Sequence, residues 1–298
     1  MNPCTSGTLA VPGARIHFEV RGEGPLLLLV AGGNSDAAVF KRLAAFLAAD
    51  HRVITYDPRG NSRSALDGPP AEQRIEEHAD DASRLLDHLA GPAEPAEVFG
   101  SCSGGLVALE LAVRDPDRVR RTVAHEPPAL TVLPDARDHL ALVDEVGETF
   151  RRAGPAPALR VLRALYGGAP APTLPEAHDN TAFFLAHVLR PATRFVPDLA
   201  ALAAVAQRVA LAGGRDSRTH VVHRPAVVLA ERLGGQMALF PGGHTGYARR
   251  PGAFARRLVE VLAALPGAVT EPGTVTVPGT AAVPGAVAGA GGERWRER

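Results

Sequence analysis

The apolar run AEVFG (96–100) passes without a spacer into Gly100-Ser101-Cys102-Ser103-Gly104-Gly105, and then into GGLVALELAVRDP, whose apolar residues recur at helical spacing. A strand that bends this sharply into a helix needs a backbone only small residues tolerate, and glycines stand two before and two after Cys102. Such a junction opens a crossover, so the strand belongs to a parallel sheet on which the helix packs back. In this register Cys102 is the apex of the turn. It also sits at a helix N-terminus, where unpaired N–H groups and the helix dipole favour a thiolate. Ser101 and Ser103 flank the apex and would replace it if the register slipped; Gly104-Gly105 at +2 and +3 favours Cys102.

The rest of the chain repeats the strand-helix alternation. GPLLLLVAGG (24–33), VFKRLAAFLAAD, HRVITYDPRG (51–60) and EEHADDASRLLDHLA (76–90) precede the turn, and TVAHEP (122–127) follows its helix. The pattern predicts a doubly wound, mostly parallel α/β sheet. GTLAVPGARIHFEVRG (7–22) alternates with period two about a Pro-Gly turn, as an antiparallel hairpin at the sheet edge does. Residues 130–205 show helical periodicity broken by Pro-rich pieces and no convincing strand, and read as a helical insertion. Strand character returns at RVALAGG (208–214) and QMALFPGG (236–243), with helices around 220–233 and over 251–265. The expected organisation is therefore core at 1–129 and 206–265, a helical cap at 130–205, and a Pro-Gly tail at 266–298 expected to be disordered.

Composition excludes several classes. The 298 residues carry 32 Lys+Arg and 32 Asp+Glu, a net charge of 0, so neither nucleic acid nor an anionic membrane has a basic surface to meet. Two cysteines, Cys4 and Cys102, do not make a disulfide framework, and Cys4 reads as an exposed thiol in an N-terminal tail. With no long apolar stretch and no basic, apolar leader, a cytoplasmic protein is expected. His220 and His223 lack acidic neighbours, so no metal site emerges. Leu106 stands where a phosphate-binding loop would need lysine, and AGGNSD does not fit G-x-G-x-x-G, so no cofactor is implied.

Taken in order, VAGGN (30–34), YDPRGNSRS (56–64), GSCSGG, LAVRDPDRVRRTV, LAGGRDS and FPGGHTGY resemble the motifs of the α/β-hydrolase superfamily, over residues 7–265, with the cap matching only loosely. The resemblance implies Cys102 as nucleophile, His244 as base and Asp216 as acid, in the superfamily's chain order. Glu126, at the end of the sixth strand, is the alternative acid, because some relatives place the carboxylate there. Backbone N–H groups of Gly33 and Ser103 would form the oxyanion hole. His125 supports the pocket, and Asp57 and Arg59 hold the loop after the fourth strand. Most relatives carry serine where Cys102 stands; cysteine there resembles dienelactone hydrolases and some thioesterases. The expected partner is a small-molecule acyl substrate, free or carrier-bound, and the cap's apolar residues would make its pocket. The expected activity is cleavage of an ester, lactone or thioester of a hydrophobic small molecule by a monomer or homodimer. Acyl transfer or cyclisation from the acyl-cysteine, and ligand binding without turnover, are the alternatives.

Overall fold

The computed structural model describes residues 4–90, 94–168 and 180–266; most of the Pro-Gly tail, at 267–298, lies outside them. The first strands are β1 (Cys4–Val11) and β2 (Ala14–Arg21), then β3 (Leu26–Val30) and β4 (Arg52–Tyr56). β5 (Ala96–Ser101), β6 (Val119–His125), β7 (Val209–Gly214) and β8 (Ala238–Phe240) complete one eight-stranded sheet in the order β1-β2-β4-β3-β5-β6-β7-β8. Among the described strand pairs, β1–β2 and β2–β4 are antiparallel and the others parallel. Cys4 is exposed, as expected, but it starts the edge strand β1 and pairs with Arg21, so it is not part of a tail.

The sheet is buried on both faces, which is why β3 reads as an uninterrupted LLLLV. Its side chains alternate: Leu26, Leu28 and Val30 join one core, Leu27 and Leu29 the other. The first core is covered by α2 (Ile75–Leu89), α3 (Ser103–Arg114) and α9 (Arg224–Arg232). The second is covered by α1 (Lys41–Leu47) and α11 (Pro251–Ala264) with the short α10 (Gly246–Arg249), and the Phe40, Phe99, Tyr247 and Phe254 rings meet there edge to face.

Between β6 and β7 the regular elements among the described residues are helical: α4 (Ala136–Ala153), α5 (Pro155–Leu162), α6 (Thr181–Phe183), a π-helical turn at Phe184–Val188, α7 (Leu189–Arg194) and α8 (Leu199–Ala204). A third apolar cluster binds these pieces, with Leu162, Leu165, Tyr166, Phe184, Leu185 and Val188 buried in it. Leu159 and Phe183 are partly buried against it. The edge of this region is fastened to the core by polar bonds. Asn180 accepts from the Ser62 N–H at 2.9 Å and donates to the Asn34 carbonyl at 3.3 Å, and Asn34 donates to Thr181 Oγ1 at 3.1 Å.

Asp57 and Arg59 hold the turn after β4. Asp57 accepts from the Ala37 N–H at 3.0 Å and from the Arg63 guanidinium at 2.8 Å; Arg59 grips buried Asp81 through two bonds of 2.7 Å. No helix among the described residues is long and apolar enough to cross a membrane.

Two buried histidines make stability depend on pH. Burial, aided by Arg59, lowers the His78 pKa from 6.5 to about 3, and burial lowers that of His125 to about 4 despite Glu126 beside it. Both are neutral in the fold at pH values where the unfolded chain binds protons. Their contribution is therefore complete above pH 6.5 and is lost as pH falls toward 4, at up to about 1.4 kcal/mol per pH unit for each histidine. Urea denaturation from pH 7 to 5 should show this loss, offset in part by His244, whose raised pKa stabilises the fold as pH falls toward 6.5, and His78→Leu should remove the His78 share, up to about 1.4 kcal/mol per pH unit. An unchanged slope in that variant would exclude His78 as a source.

Candidate active site

The backbone at Cys102 has φ 56° and ψ −132°, a left-handed conformation that costs a non-glycine residue about 1–3 kcal/mol. Its neighbours explain how the turn is kept. A Cβ on Gly100 would lie 2.0 Å from the Gly104 carbonyl oxygen, and one on Gly104 would lie 2.2 Å from that of Val30. Only glycines let β5, β3 and α3 converge this closely. The Cys102 N–H donates to the His125 carbonyl at 3.0 Å, which fixes the apex at the end of β6.

The thiol is hydrogen-bonded to His244, carried on the loop after β8. On the other side of that ring, Nδ1–H donates to Glu126 Oε2 at 2.7 Å. Glu126 follows β6, has φ 46° and is fully buried. Its Oε1 accepts from the Gly214 N–H at 2.8 Å, from His223 Nδ1–H at 3.0 Å and from the Ser217 hydroxyl. Burial opposes its charge, but the bonds from His223 and His244 outweigh burial and hold its pKa well below the usual carboxylate range. For His244, burial also disfavours the cation, yet the bonds to Cys102 and Glu126 prevail and push its pKa up to about 10. Tyr166 stacks edge-on against His244 with centroids 5.4 Å apart; burial and the nearby Cys102 keep its phenol protonated.

Asp216 is not the partner of His244. Its carboxylate is 58% exposed and faces Arg250 at 3.4 Å on the outside of the β7 loop. The place expected for it is taken by Glu126. A signal for this was present in the residues: Glu126 lies in the apolar stretch VAHEPP, where a charge must be paired, whereas Asp216 lies among Arg215, Ser217 and Arg218. His223 and Ser217, which also hold Glu126, had no such signal, because only the crossing of two distant loops brings them there.

Gly33 differs from expectation in one respect. It stands beside the thiol, since a Cβ built on it would lie 3.9 Å from Cys102 Sγ, but its N–H donates to Ser103 Oγ at 2.8 Å instead of standing free. Ser103 begins α3, where backbone N–H groups lack helical partners. His125 pairs with Ser101 Oγ at 3.2 Å, and Tyr247 bonds to Ser101, so these groups brace the floor of the site.

Two hollows meet at Cys102. One is lined by Asn34, Ser35, Leu159, Thr181, His244 and Thr245, and mixes polar and apolar groups. The other is almost wholly apolar, with Pro128, Leu130, Leu165, Leu189, Ala192 and Val222. Tyr166 and Phe184 border both. Among the described residues no cluster of His, Cys, Asp and Glu is arranged to hold a metal ion.

Residues 25–170 match the family model of the alpha/beta hydrolase fold. The uncharacterized hydrolase YraK of Bacillus subtilis (strain 168) is 36% identical over 86% of this chain and 96% of its own. The chain belongs to the α/β-hydrolase family. Among solved structures, a thermophilic esterase from Thermogutta terrifontis superposes with a TM-score of 0.67 at 21% identity, covering 88% of this chain and 98% of the esterase. The enol-lactonase from Burkholderia xenovorans LB400 superposes with a TM-score of 0.57 at 20% identity, covering 86% and 100%. At those identities the likeness is one of fold.

The close approach at the turn predicts unequal glycine substitutions. Gly104→Ala should lower stability by more than about 2 kcal/mol, because its methyl group would enter the β3 backbone. Gly147→Ala, in α4 with open space around it, should raise stability by about 0.5–1 kcal/mol. Melting temperatures check both, and similar values for the two variants would contradict the packing described.

Proposed function

We propose that the chain is a hydrolase that cleaves a carboxylic ester, lactone or thioester of a hydrophobic small molecule through an acyl-Cys102 intermediate. The observation that carries this reading is the linear array of thiol, imidazole and buried carboxylate, Cys102–His244–Glu126. The apolar hollow beside Cys102 supports a hydrophobic acyl group, and the mixed hollow suits the more polar leaving side. The esterase and enol-lactonase neighbours carry out chemistry of this class.

In the proposed cycle Cys102 has already given its proton to His244 Nε2, in keeping with the raised pKa of that ring, and the thiolate adds to the substrate carbonyl carbon. Negative charge moves onto the carbonyl oxygen, near the Ser103 N–H at the start of α3, where the helix dipole favours it. Ser103 Oγ, by accepting the Gly33 N–H, holds the glycine loop at that height. The tetrahedral species collapses by breaking the bond to the leaving oxygen or sulfur, which receives the proton held by His244. A water then gives a proton to His244 and adds to the acyl thioester. Collapse of this second adduct releases the acid and leaves the thiolate beside protonated His244. Glu126 stabilises the imidazolium at both stages and keeps Nδ1 protonated.

An activated short-chain ester and an acyl thioester, followed by product release and intact mass, test this reading. Wild type should release acid or gain one acyl mass, and Cys102→Ala should do neither. Turnover by Cys102→Ala would refute the covalent route. With an added amine or alcohol, formation of an amide or new ester in place of acid would redirect the assignment to acyl transfer. Glu126→Gln should lower kcat by about 10³–10⁴ by disturbing the His244 tautomer, while Asp216→Asn should stay within about twofold of wild type, as a surface change does. The reverse ranking would return the acid role to Asp216.

A further inference from the structure

Glu126 is bonded by two histidines, and the proposed reaction uses only one. His223 ends the turn Val221–His223 that leads into α9, its side chain is 5% exposed, and it bonds Oε1 of the carboxylate, whereas His244 bonds Oε2. An ionised carboxylate only accepts, so both rings must present a protonated Nδ1 to it. Four donors then share two oxygens: Gly214 N–H, Ser217 Oγ–H and His223 on Oε1, with His244 on Oε2.

The space for His223 is built into β7. A Cβ on Gly213 would lie 2.6 Å from His223 Cε1 and 2.8 Å from Nδ1. Alanine there would push the ring off the carboxylate. Gly213 therefore serves His223, whereas Gly214 serves the crossing of the β7 and β8 loops, where a Cβ would lie 2.6 Å from the Gly242 carbonyl oxygen.

We propose that His223 is a positioning residue for the Cys102–His244 pair: it fixes the Glu126 carboxylate so that Oε2 faces His244, and it withdraws part of the carboxylate's charge from that base. The inference rests on the assignment of Cys102, His244 and Glu126 made above. Other titratable groups facing this cluster are His125 from β6, His220 from the preceding turn, Tyr166 from the cap and Tyr247 from α10. Arg224, next to His223, is engaged away from the cluster by Asp135 at 2.8 Å. None of these groups donates to Glu126, so Oε1 has no substitute for the bond His223 makes.

Without His223, more of the carboxylate's charge falls on His244, its imidazolium is stabilised further, and the pH at which it deprotonates rises. Geometry loosens at the same time.

The test uses the full chain in a Cys4→Ser background, so that Cys102 is the one reactive thiol. His223→Leu should lower kcat by about tenfold or more with KM within about twofold, and should move the alkaline limb of kcat/KM up by about half a pH unit. Gly213→Ala should reproduce both changes with His223 still present. His223→Asn, whose Nδ2–H can stand where Nδ1–H stood, should restore both; His223→Gln, whose amide reaches further, should not. A second readout needs no substrate: iodoacetamide alkylation of Cys102, in which the C–I bond breaks as the C–S bond forms, followed by mass against pH. Its alkaline step should shift upward in the Leu and Ala variants, with melting temperatures confirming that each is folded.

A folded Leu variant with wild-type profiles overturns the proposal. So does a loss of kcat with unshifted limbs that Asn fails to restore, since that is what mere packing would give. If Cys102→Ala turns over substrate like wild type, the reaction assignment falls instead, while the alkylation profile still decides whether His223 governs the thiol–imidazole pair.

Discussion

A carboxylate with no access to water must be neutralised or surrounded by donors, since an unpaired buried charge costs several kcal/mol. Glu126 is fully buried and ionised, and much of the molecule is arranged around that fact. β6 delivers it in a left-handed conformation, the end of β7 supplies a backbone N–H, the following turn a hydroxyl, and two loops a histidine each. These donors come from two stretches of chain, residues 214–223 after β7 and the loop of His244 after β8. The loops after β6, β7 and β8 are thus held in register by one side chain, and the position of His244 over Cys102 is a product of that register.

The cysteine turn depends on a different economy of space. Gly100 and Gly104 bring α3 so close to β5 and β3 that nothing larger than hydrogen fits, and the strain at Cys102 is carried by this packing. Two constraints, one electrostatic and one steric, converge on the same few cubic ångströms. Neither would place the thiol against the imidazole alone.

The fold was legible because parallel strands buried on both faces leave an apolar signature such as LLLLV, and because the GSCSGG junction permits few backbones. The adjacency of Cys102 and His244 followed from the order of the motifs. The acid was expected at Asp216, with Glu126 as the alternative, two carboxylates at the ends of neighbouring strands. Both lie one loop from His244, and the apolar setting of Glu126 was the one local hint; the structure buries Glu126 and leaves Asp216 exposed, and burial is a property of the assembled sheet. The hydrogen bond from Gly33 to Ser103 was hidden for a similar reason, since it joins residues far apart in the chain through the geometry of one turn. Cys4 was misplaced because a polar edge strand, CTSGTLAV, has too little apolar character to stand out from a terminus.

The seam between the helical region and the core has a consequence for time. Along Asn34, Ser62, Asn180 and Thr181 the two are joined by neutral amide and hydroxyl bonds, each of which exchanges for a bond to water at a net cost of about 1 kcal/mol. The apolar cluster beneath Tyr166 and Phe184 has no such substitute, because separating it exposes oil to water. Thermal motion will therefore find the seam long before it finds the cluster. The polar seam is thus the side on which solvent can replace the bonds that hold these helices to the core.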